Sequence, residues 1–340
     1  KIGNHLSPEQ YTEVQSLLNS FSDVLTSKLG LTHLIQFNID LIDNVPPCRP
    51  AYKIPQSMQT IVDAEIDRLL AEGVIVEGMA DYTSGLVCVR KKHGKGCRLT
   101  LDTRALNAVT KTVYYRSVDP VDLVNQAAGS TLISQIDLSS SFFQIGASEA
   151  TSRLLGFSTH RSSYRFTRMS QGTKNSSSYM QCLMDTILKG TQDYAACLID
   201  NIIIFDKDDF NLHLQHIAKI LNRLRQPGLT ASPSKTEIAL KSIDVMGYRL
   251  ENGLIQPTDE KIRAITEWPR PLRKKSLKSF LGLAAYYQPL IKGYSSITSG
   301  LHDLLRKESP DLLPWTDEHQ KSFDKIKELL TSKPYWLKPT

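Results

Sequence analysis

The sequence predicts an α+β fold divided into two or three subdomains, and three observations predict it. The chain has 340 residues, more than one small domain uses. Short strand-like runs crowd residues 131–250, whereas helical periodicity dominates residues 257–330. Hydrophobic residues make up 41% and charged residues 22%, which excludes collagen-like, coiled-coil and wholly disordered chains. No apolar run approaches the ~18 residues that a membrane-spanning helix requires. No period of 20–50 residues repeats, which removes solenoids and propellers. The chain begins at Lys1 without an apolar secretory stretch, so a segment of a longer protein is expected.

Residues 7–45 open with an amphipathic helix pattern. It starts at Leu6-Ser7-Pro8, carries Val14, Leu17, Leu18 and Phe21, and is followed by a turn at Asp43-Asn44. Pro46, Pro47 and Pro50 separate this leader from the rest. A second helix over 59–72 groups Ile61, Ile66, Leu69 and Leu70 on one face and ends at Gly73, where a C-terminal cap belongs. Gly85 to Val89 and Leu99 to Leu101 read as strands joined by the basic turn Arg90 to Gly96, a long hairpin. Leu132 to Ile136 is a strand running into Asp137, and Tyr164 to Thr167 alternates. Ala195 to Ile199 and Ile202 to Phe205 flank Asp200-Asn201. The pattern makes that polar pair the two-residue turn of a tight hairpin, because polar residues suit its φ > 0 positions. Helices are expected at about 173–189 and 209–225.

Charge is informative only locally. The 41 Lys+Arg against 35 Asp+Glu give +6, a mild excess that suits a polyanionic partner. Between 261 and 278, Lys261, Arg263, Arg270, Arg273, Lys274, Lys275 and Lys278 face one acid, Glu267, and seven minus one equals the excess of the whole chain. Taken alone, such a run is a solvated helix face. Cys48, Cys88, Cys97, Cys182 and Cys197 are odd in number, far apart and free of C-x-x-C pairs. A disulfide framework or zinc knuckle is not expected, and a reducing compartment fits. His213 and His216 lie one helical turn apart with no third ligand nearby.

The carboxylates carry more. An Asp-Asn pair by itself is an ordinary β-turn, but Asp137 also ends an apolar strand and is followed by a turn or short helix, Leu138 to Phe143. Strand-end carboxylates from two strands can converge on a divalent cation. Mg²⁺ takes hard oxygen ligands, commonly one or two carboxylates plus substrate phosphates. A pair of such ions about 3.5–4 Å apart stabilises the attacking and leaving oxygens of a phosphoryl transfer.

Further motifs stand in a telling order. Leu6 to Glu9 and Phe21 to Leu25 come first, then Glu65 to Ile75, Val89 to Gly94 and Arg98 to Asn107. Ile136-Asp137-Leu138, Gln171-Gly172, Leu198-Ile199-Asp200-Asn201, Leu229 to Lys235 and Met246-Gly247-Tyr248 come next. Trp268 to Pro271 and Ser279 to Tyr287 close the series. From about Leu6 to about Leu337 the chain resembles the reverse transcriptase of Ty3/gypsy-class LTR retrotransposons and, more distantly, retroviral reverse transcriptases.

The resemblance implies a right-hand polymerase with an antiparallel palm sheet backed by helices, inserted fingers and a helical thumb. Its implied borders are a leader at 1–45, fingers at 46–130 and 147–170, palm at 131–146 and 171–250, thumb at 251–315, and a tether at 316–340 towards a missing RNase H domain. The implied activity is RNA-directed DNA synthesis, adding dNTPs to a DNA primer on an RNA or DNA template with two Mg²⁺ ions, for which Mn²⁺ can substitute. Asp137 and Asp200 would ligate the metals, with Asn201 beside them. Arg98, with Lys92 or Lys95, would grip the triphosphate, since a guanidinium presents a planar fork to phosphate oxygens. Phe142 would lie under the sugar and exclude a 2′-hydroxyl, and Gln171 would contact the nucleotide near its 3′ side. Lys235 would donate a proton to the leaving pyrophosphate. Met246, Gly247 and Tyr248 would hold the primer end. Arg270, Arg273, Lys274, Lys275 and Lys278 would track the duplex backbone. RNase H and integrase domains belong to a longer precursor in this family; these, with protease, are expected to be absent from the present residues. The expected setting is intracellular, in a cytoplasmic particle or the nucleus.

Departures from the family pattern gather near the chemistry. Asn201 replaces the second acid and Leu198 the usual Tyr. Ser141 stands where Gly or Ala is expected, Thr103 where an aromatic is common. Ser170, Thr173, Ser176, Ser177 and Ser178 replace mostly apolar positions. One lost charge at ~4 Å is worth about 4 kcal/mol at an effective dielectric near 20, or about three orders of magnitude in rate if all of it reached the transition state. Two readings are open: a polymerase impaired by Asn201, or a catalytically inactive, domesticated or decaying domain that binds nucleic acid or a protein partner.

Overall fold

The computed structural model describes residues 1–90, 96–116, 118–251 and 254–332, so Lys92 and Lys95 lie outside the described residues. The chain divides into two compact units, one of residues 1–118, 134–204 and 211–238, the other of residues 119–133, 205–210 and 239–340.

Along the chain come α1 (Pro8–Ser20), β1 (Thr32–Phe37), α2 (Gln56–Ala71), β2 (Ile75–Glu77), β3 (Gly85–Arg90), β4 (Cys97–Asp102), α3 (Arg104–Val109) and α4 (Pro120–Gln126). After them come β5 (Leu132–Asp137), β6 (Ile145–Ala147), α5 (Glu149–Arg153), β7 (Gly156–Ser158), β8 (Ser163–Phe166), α6 (Ser176–Ile187), β9 (Ala195–Leu198), β10 (Asn201–Asp206) and α7 (Phe210–Arg225). The last elements are β11 (Glu237–Leu240), β12 (Ser242–Val245), β13 (Tyr248–Glu251), β14 (Leu254–Pro257), α8 (Asp259–Thr266), α9 (Lys274–Tyr286), α10 (Tyr294–Asp303) and α11 (Asp317–Thr331).

The sheet that matters for function is four-stranded, in the order β11-β5-β10-β9. Ile202, Ile203 and Ile204 of β10 are all fully buried. Successive strand residues point to opposite faces, so both faces of this strand are covered. The helices supply matching stripes: α6 buries Met180, Leu183, Met184 and Ile187, and α7 buries Ile217, Ile220, Leu221 and Leu224. That three-to-four spacing is what one face of an α-helix requires. Smaller sheets β2-β8-β7 and β3-β4 complete this unit's strand content, with β1 pairing β6 in parallel.

Local signals behave as their chemistry dictates. Ser7 closes a capping box on α1, its Oγ accepting from the Gln10 N–H at 3.2 Å while Gln10 Oε1 accepts from the Ser7 N–H at 3.0 Å. Gly73 follows α2 with φ of +64°, the left-handed value that glycine adopts without steric cost. In the second unit, β12-β13-β14 forms an antiparallel meander, accompanied by α4 and by α8 to α11. The stretch expected as a tether contains α11, which buries Phe323, Ile326 and Leu330 and sets Phe323 against Phe280 of α9 at a 4.5 Å ring separation. No described helix is long and apolar enough to cross a membrane.

The five cysteines are free. Burial pushes the Cys88 thiol up to about 11, while Cys97 and Cys197 are buried and Cys48 is exposed. At pH 8 only about one Cys88 side chain in a thousand is thiolate, the reactive form. Iodoacetamide at pH 8 is therefore expected to alkylate Cys48 first and Cys88 far more slowly, with Cys97 and Cys197 modified only on unfolding. Peptide mapping by mass spectrometry against time checks this; early labelling of Cys197 would contradict the buried β9.

Candidate active site

The β9–β10 hairpin differs from expectation by one residue. Asn201 pairs with Leu198, so the two-residue turn is Ile199-Asp200 and Asn201 is already the first residue of β10. The positive φ falls on Ile199, at +61°, where a β-branched side chain is strained. The surroundings hold it there. The buried Gln181 of α6 accepts from the Ile199 N–H through Oε1 at 2.8 Å and donates through Nε2 to the Cys197 carbonyl at 3.2 Å. One amide thus ties both sides of the turn, and Asp200 is presented at its tip.

Asp137 ends β5, and the next residue joins the two acids: the Leu138 N–H donates to the Asp200 carbonyl at 3.2 Å. A second buried glutamine fixes the loop beyond Asp137. Gln144 donates from Nε2 to the Ser139 carbonyl at 2.7 Å and the Thr230 carbonyl at 2.8 Å. Its Oε1 accepts from the Thr230 N–H at 2.8 Å. Gly30 leaves room for this clamp, because a Cβ there would stand 2.6 Å from Gln144 Oε1 and 2.4 Å from the Gly228 carbonyl oxygen. The clamp registers the loop against the segment leading to Lys235, whose Nζ lies 2.9 Å from Asp137 Oδ1.

Electrostatics agree with the geometry. Burial raises the Asp137 carboxyl above its ordinary range; Lys235 opposes the rise and the Asp200 charge adds to it. The two carboxylates therefore lie within each other's field. Asp200 Oδ2 accepts from Ser141 Oγ at 2.7 Å, a contact that no periodicity in the sequence signals. Asn201 Oδ1 is buried without a hydrogen-bond partner.

A cleft opens beside these groups, lined by Arg98, Phe142, Gln171, Asp200 and Lys235. Five of the residues singled out from sequence are thus brought together, with Asp137 attached through Lys235. Arg98 is exposed on β4. The cleft also includes Glu65 and Arg68 of α2, which the sequence did not suggest for this site. Arg68 is bound at 2.6 Å to Glu65 and at 2.7 Å to Glu72, so its charge is already partnered. Thr103 proves to be a structural partner of Gln171-Gly172: Thr103 Oγ1 donates to the Gly172 carbonyl at 2.6 Å, as does Asn107 Nδ2 at 2.9 Å.

Among the described residues no group of three or more His, Cys, Asp or Glu is arranged to hold a metal ion. A divalent ion would therefore rest on Asp137 and Asp200, with neutral oxygens and substrate completing its shell. That donor set fits Mg²⁺, which is commonly bound by one or two carboxylates plus phosphates. The unpartnered Asn201 oxygen and the raised Asp137 carboxyl are both groups that a cation would relieve.

In the second unit, Met246 and Gly247 form the β12–β13 turn and Tyr248 begins β13. The basic residues are mixed in availability. Arg273 pairs with Asp311 at 2.9 Å, Arg270 lies 5.6 Å over the Trp315 ring, and Lys274 Nζ donates to the Arg306 carbonyl. Lys275 and Lys278 are exposed on α9.

A palm-like sheet that presents one aspartate at a strand end and another at a hairpin tip, beside a cleft with an exposed arginine, defines a polymerase fold. Residues 89–250 match the family described as reverse transcriptase (RNA-dependent DNA polymerase). Two relatives from Drosophila melanogaster are the retrovirus-related Pol polyproteins from transposon 297 and from transposon gypsy. The first is 27% identical over 338 residues, covering 97% of this chain and 32% of the relative. The second is 27% identical over 314 residues, covering 88% and 30%. The chain spans about a third of the length of these relatives. A solved foamy viral protease-reverse transcriptase in complex with double-stranded DNA superposes with a TM-score of 0.86 at 22% identity, over 96% of this chain and 58% of that one. Residues 89–250 thus match a reverse transcriptase domain, and most of the chain is similar to retrovirus-related Pol polyproteins of gypsy-type transposons.

The raised Asp137 carboxyl has a direct consequence for stability. A folded state that holds this proton more tightly than the unfolded chain gains stability at low pH and loses it as pH climbs from the ordinary carboxylate range through the raised value. Asp137→Asn removes that loss, so at pH 7 without divalent ions the variant is expected to be more stable than the parent. It should also forfeit most of the stabilisation that added Mn²⁺ gives the parent. Thermal melts of both proteins with and without Mn²⁺ measure this; equal metal-induced shifts would remove Asp137 from the ligand set.

Proposed function

We propose that this domain is an RNA-directed DNA polymerase that extends a DNA primer with dNTPs on an RNA or DNA template. The observation that carries the reading is the union of two carboxylates, Asp137 and Asp200, through the Leu138–Asp200 backbone bond, beside a cleft lined by Arg98, Phe142 and Gln171. Two Mg²⁺ ions held at Asp137 and Asp200, or Mn²⁺ in their place, would supply the positive charge that the attacking 3′-oxygen and the leaving pyrophosphate need.

The chain's own residues do the rest by positioning and neutralisation. Arg98 grips the triphosphate through its planar fork. Phe142 lies beneath the sugar and Gln171 approaches its 3′ side, which sets deoxynucleotide preference. Lys235, held on Asp137 at 2.9 Å, exchanges that carboxylate for the pyrophosphate oxygen and gives it a proton. The nucleic acid is an RNA or DNA template with its primer, and RNase H and integrase activities reside in other parts of a longer precursor. We place the protein inside the cell, in a cytoplasmic particle or the nucleus.

Asn201 favours a second reading, in which the domain binds primer–template or a protein partner without extending the primer. Its neutral side-chain oxygen is buried without a hydrogen-bond partner. Primer extension on an RNA template separates the readings. The parent is expected to extend with Mg²⁺ or Mn²⁺, Asp137→Asn to fail, and Asn201→Asp to extend faster by up to about a thousandfold, the ceiling set by one charge at ~4 Å. Extension by Asn201→Asp alone would assign the parent to the second reading. Equal extension by the parent and Asp137→Asn would overturn the proposed centre.

A further inference from the structure

The β12–β13 turn is strained, and thumb tyrosines hold it. Val245 pairs with Tyr248, leaving Met246 and Gly247 as a two-residue turn with φ of +52° and +85°. Two successive left-handed residues suit the twist of a hairpin, but Asn-Gly or Asp-Gly is the usual sequence. A methionine in the first position keeps that conformation only if its surroundings impose it. Tyr286 Oη donates to the Met246 carbonyl at 2.6 Å, and Tyr287 Oη donates to the Gly247 carbonyl at 2.9 Å. Tyr248 Oη returns a hydrogen bond to the Tyr286 carbonyl at 2.5 Å. The three rings pack edge-on or tilted with centroids 5.0–5.3 Å apart. Gly247 is also required by space, since a Cβ there would stand 2.9 Å from Tyr287 Oη.

A cation completes the arrangement. The Lys261 stem lies against the turn, its Cε 3.6 Å from where a Gly247 Cβ would stand. The Lys261 ammonium, one bond beyond Cε, can reach a phosphate that approaches this turn.

We propose that Tyr286 and Tyr287 are positioning residues that set the shape of the Met246–Gly247 turn, and that Lys261 gives that turn its charge, so that together they cradle the sugar–phosphate backbone at the primer terminus. This rests on the reading of the turn as a primer-holding element and adds the residues that make it one. Neither tyrosine touches reacting atoms; each acts through the turn.

The test uses binding, so it does not depend on whether Asn201 permits synthesis. The full chain is mixed with a recessed primer–template carrying 2-aminopurine at the primer 3′ end, or with a continuous duplex of equal length, and dissociation is timed. Removing two hydroxyls in Tyr286→Phe/Tyr287→Phe, with both rings retained, is expected to speed release of the recessed primer about three- to tenfold, as the loss of one to two ordinary hydrogen bonds allows, and to leave the continuous duplex unchanged. Lys261→Gln should lower the salt dependence of recessed-primer binding by about one phosphate contact. Gly247→Ala, which distorts the turn itself, should speed release at least as much. If Gly247→Ala speeds release and the double Phe variant does not, the clamp is wrong and the primer-holding reading stands. If neither does, both fail. Equal weakening on the two duplexes with a lower melting temperature would make the tyrosines merely structural and overturn the proposal.

Discussion

Two carboxylates share a half-buried space in this domain, and the remainder of the first unit is arranged around that constraint. Burial, with a smaller push from the Asp200 charge, raises the Asp137 carboxyl above its ordinary range. The chain answers with donors placed on different oxygens, Lys235 on Asp137 and Ser141 on Asp200. Neither is permanent in kind. Lys235 is a flexible side chain that remains largely exposed, and a serine hydroxyl can rotate. Both carboxylates are therefore held by donors that can move away, which suits the proposed binding of cations and a triphosphate.

Keeping such acids adjacent demands rigidity close behind them, and two buried amides provide it. Gln181 spans the Ile199 turn, and Gln144 spans the loop after Asp137 and the segment before Lys235. Each uses both its donor and its acceptor, so replacing either by an apolar residue would leave buried backbone groups unpaired, at roughly 1–3 kcal/mol for each. The strain at Ile199 and at Met246 obeys one logic: a backbone conformation that the residue itself disfavours is imposed by side chains from a neighbouring helix. In one case the helix is α6, in the other α9.

Much of the fold was legible because burial leaves periodic marks. The apolar runs of β5, β9 and β10, the stripes of α6 and α7 and the glycine after α2 are all written in residue type. The hairpin turn was not, because Ile199 is apolar and reads as strand, whereas its conformation is fixed by Gln181, 18 residues earlier. Gln144 and Gln181 were themselves invisible, since a glutamine in sequence looks like surface. The basic run could be counted but not apportioned. Arg273 meets Asp311, 38 residues away, and charge composition alone says nothing of such pairings. The candidate site residues were suggested by resemblance in the order of motifs, and the geometry then supplied the bonds that composition could not.

The altered positions around Gln171 bear on how the domain has been maintained. Polar residues introduced at random into a core are left without partners, and each such orphan is costly. Here they answer one another. Thr173 Oγ1 and Ser176 Oγ both donate to the Ser170 carbonyl at 3.1 Å and also meet each other. Thr103 Oγ1 binds Gly172, and Asn107 binds both Thr103 and Gly172. Ser141 has found a carboxylate. These hydroxyls form separate local sets of hydrogen bonds, of which the Thr103–Asn107 set fixes Gly172. Ser170 Oγ is a buried exception, and Asn201 Oδ1 is another. Of these two, only Asn201 is the sequence neighbour of the proposed metal ligand Asp200.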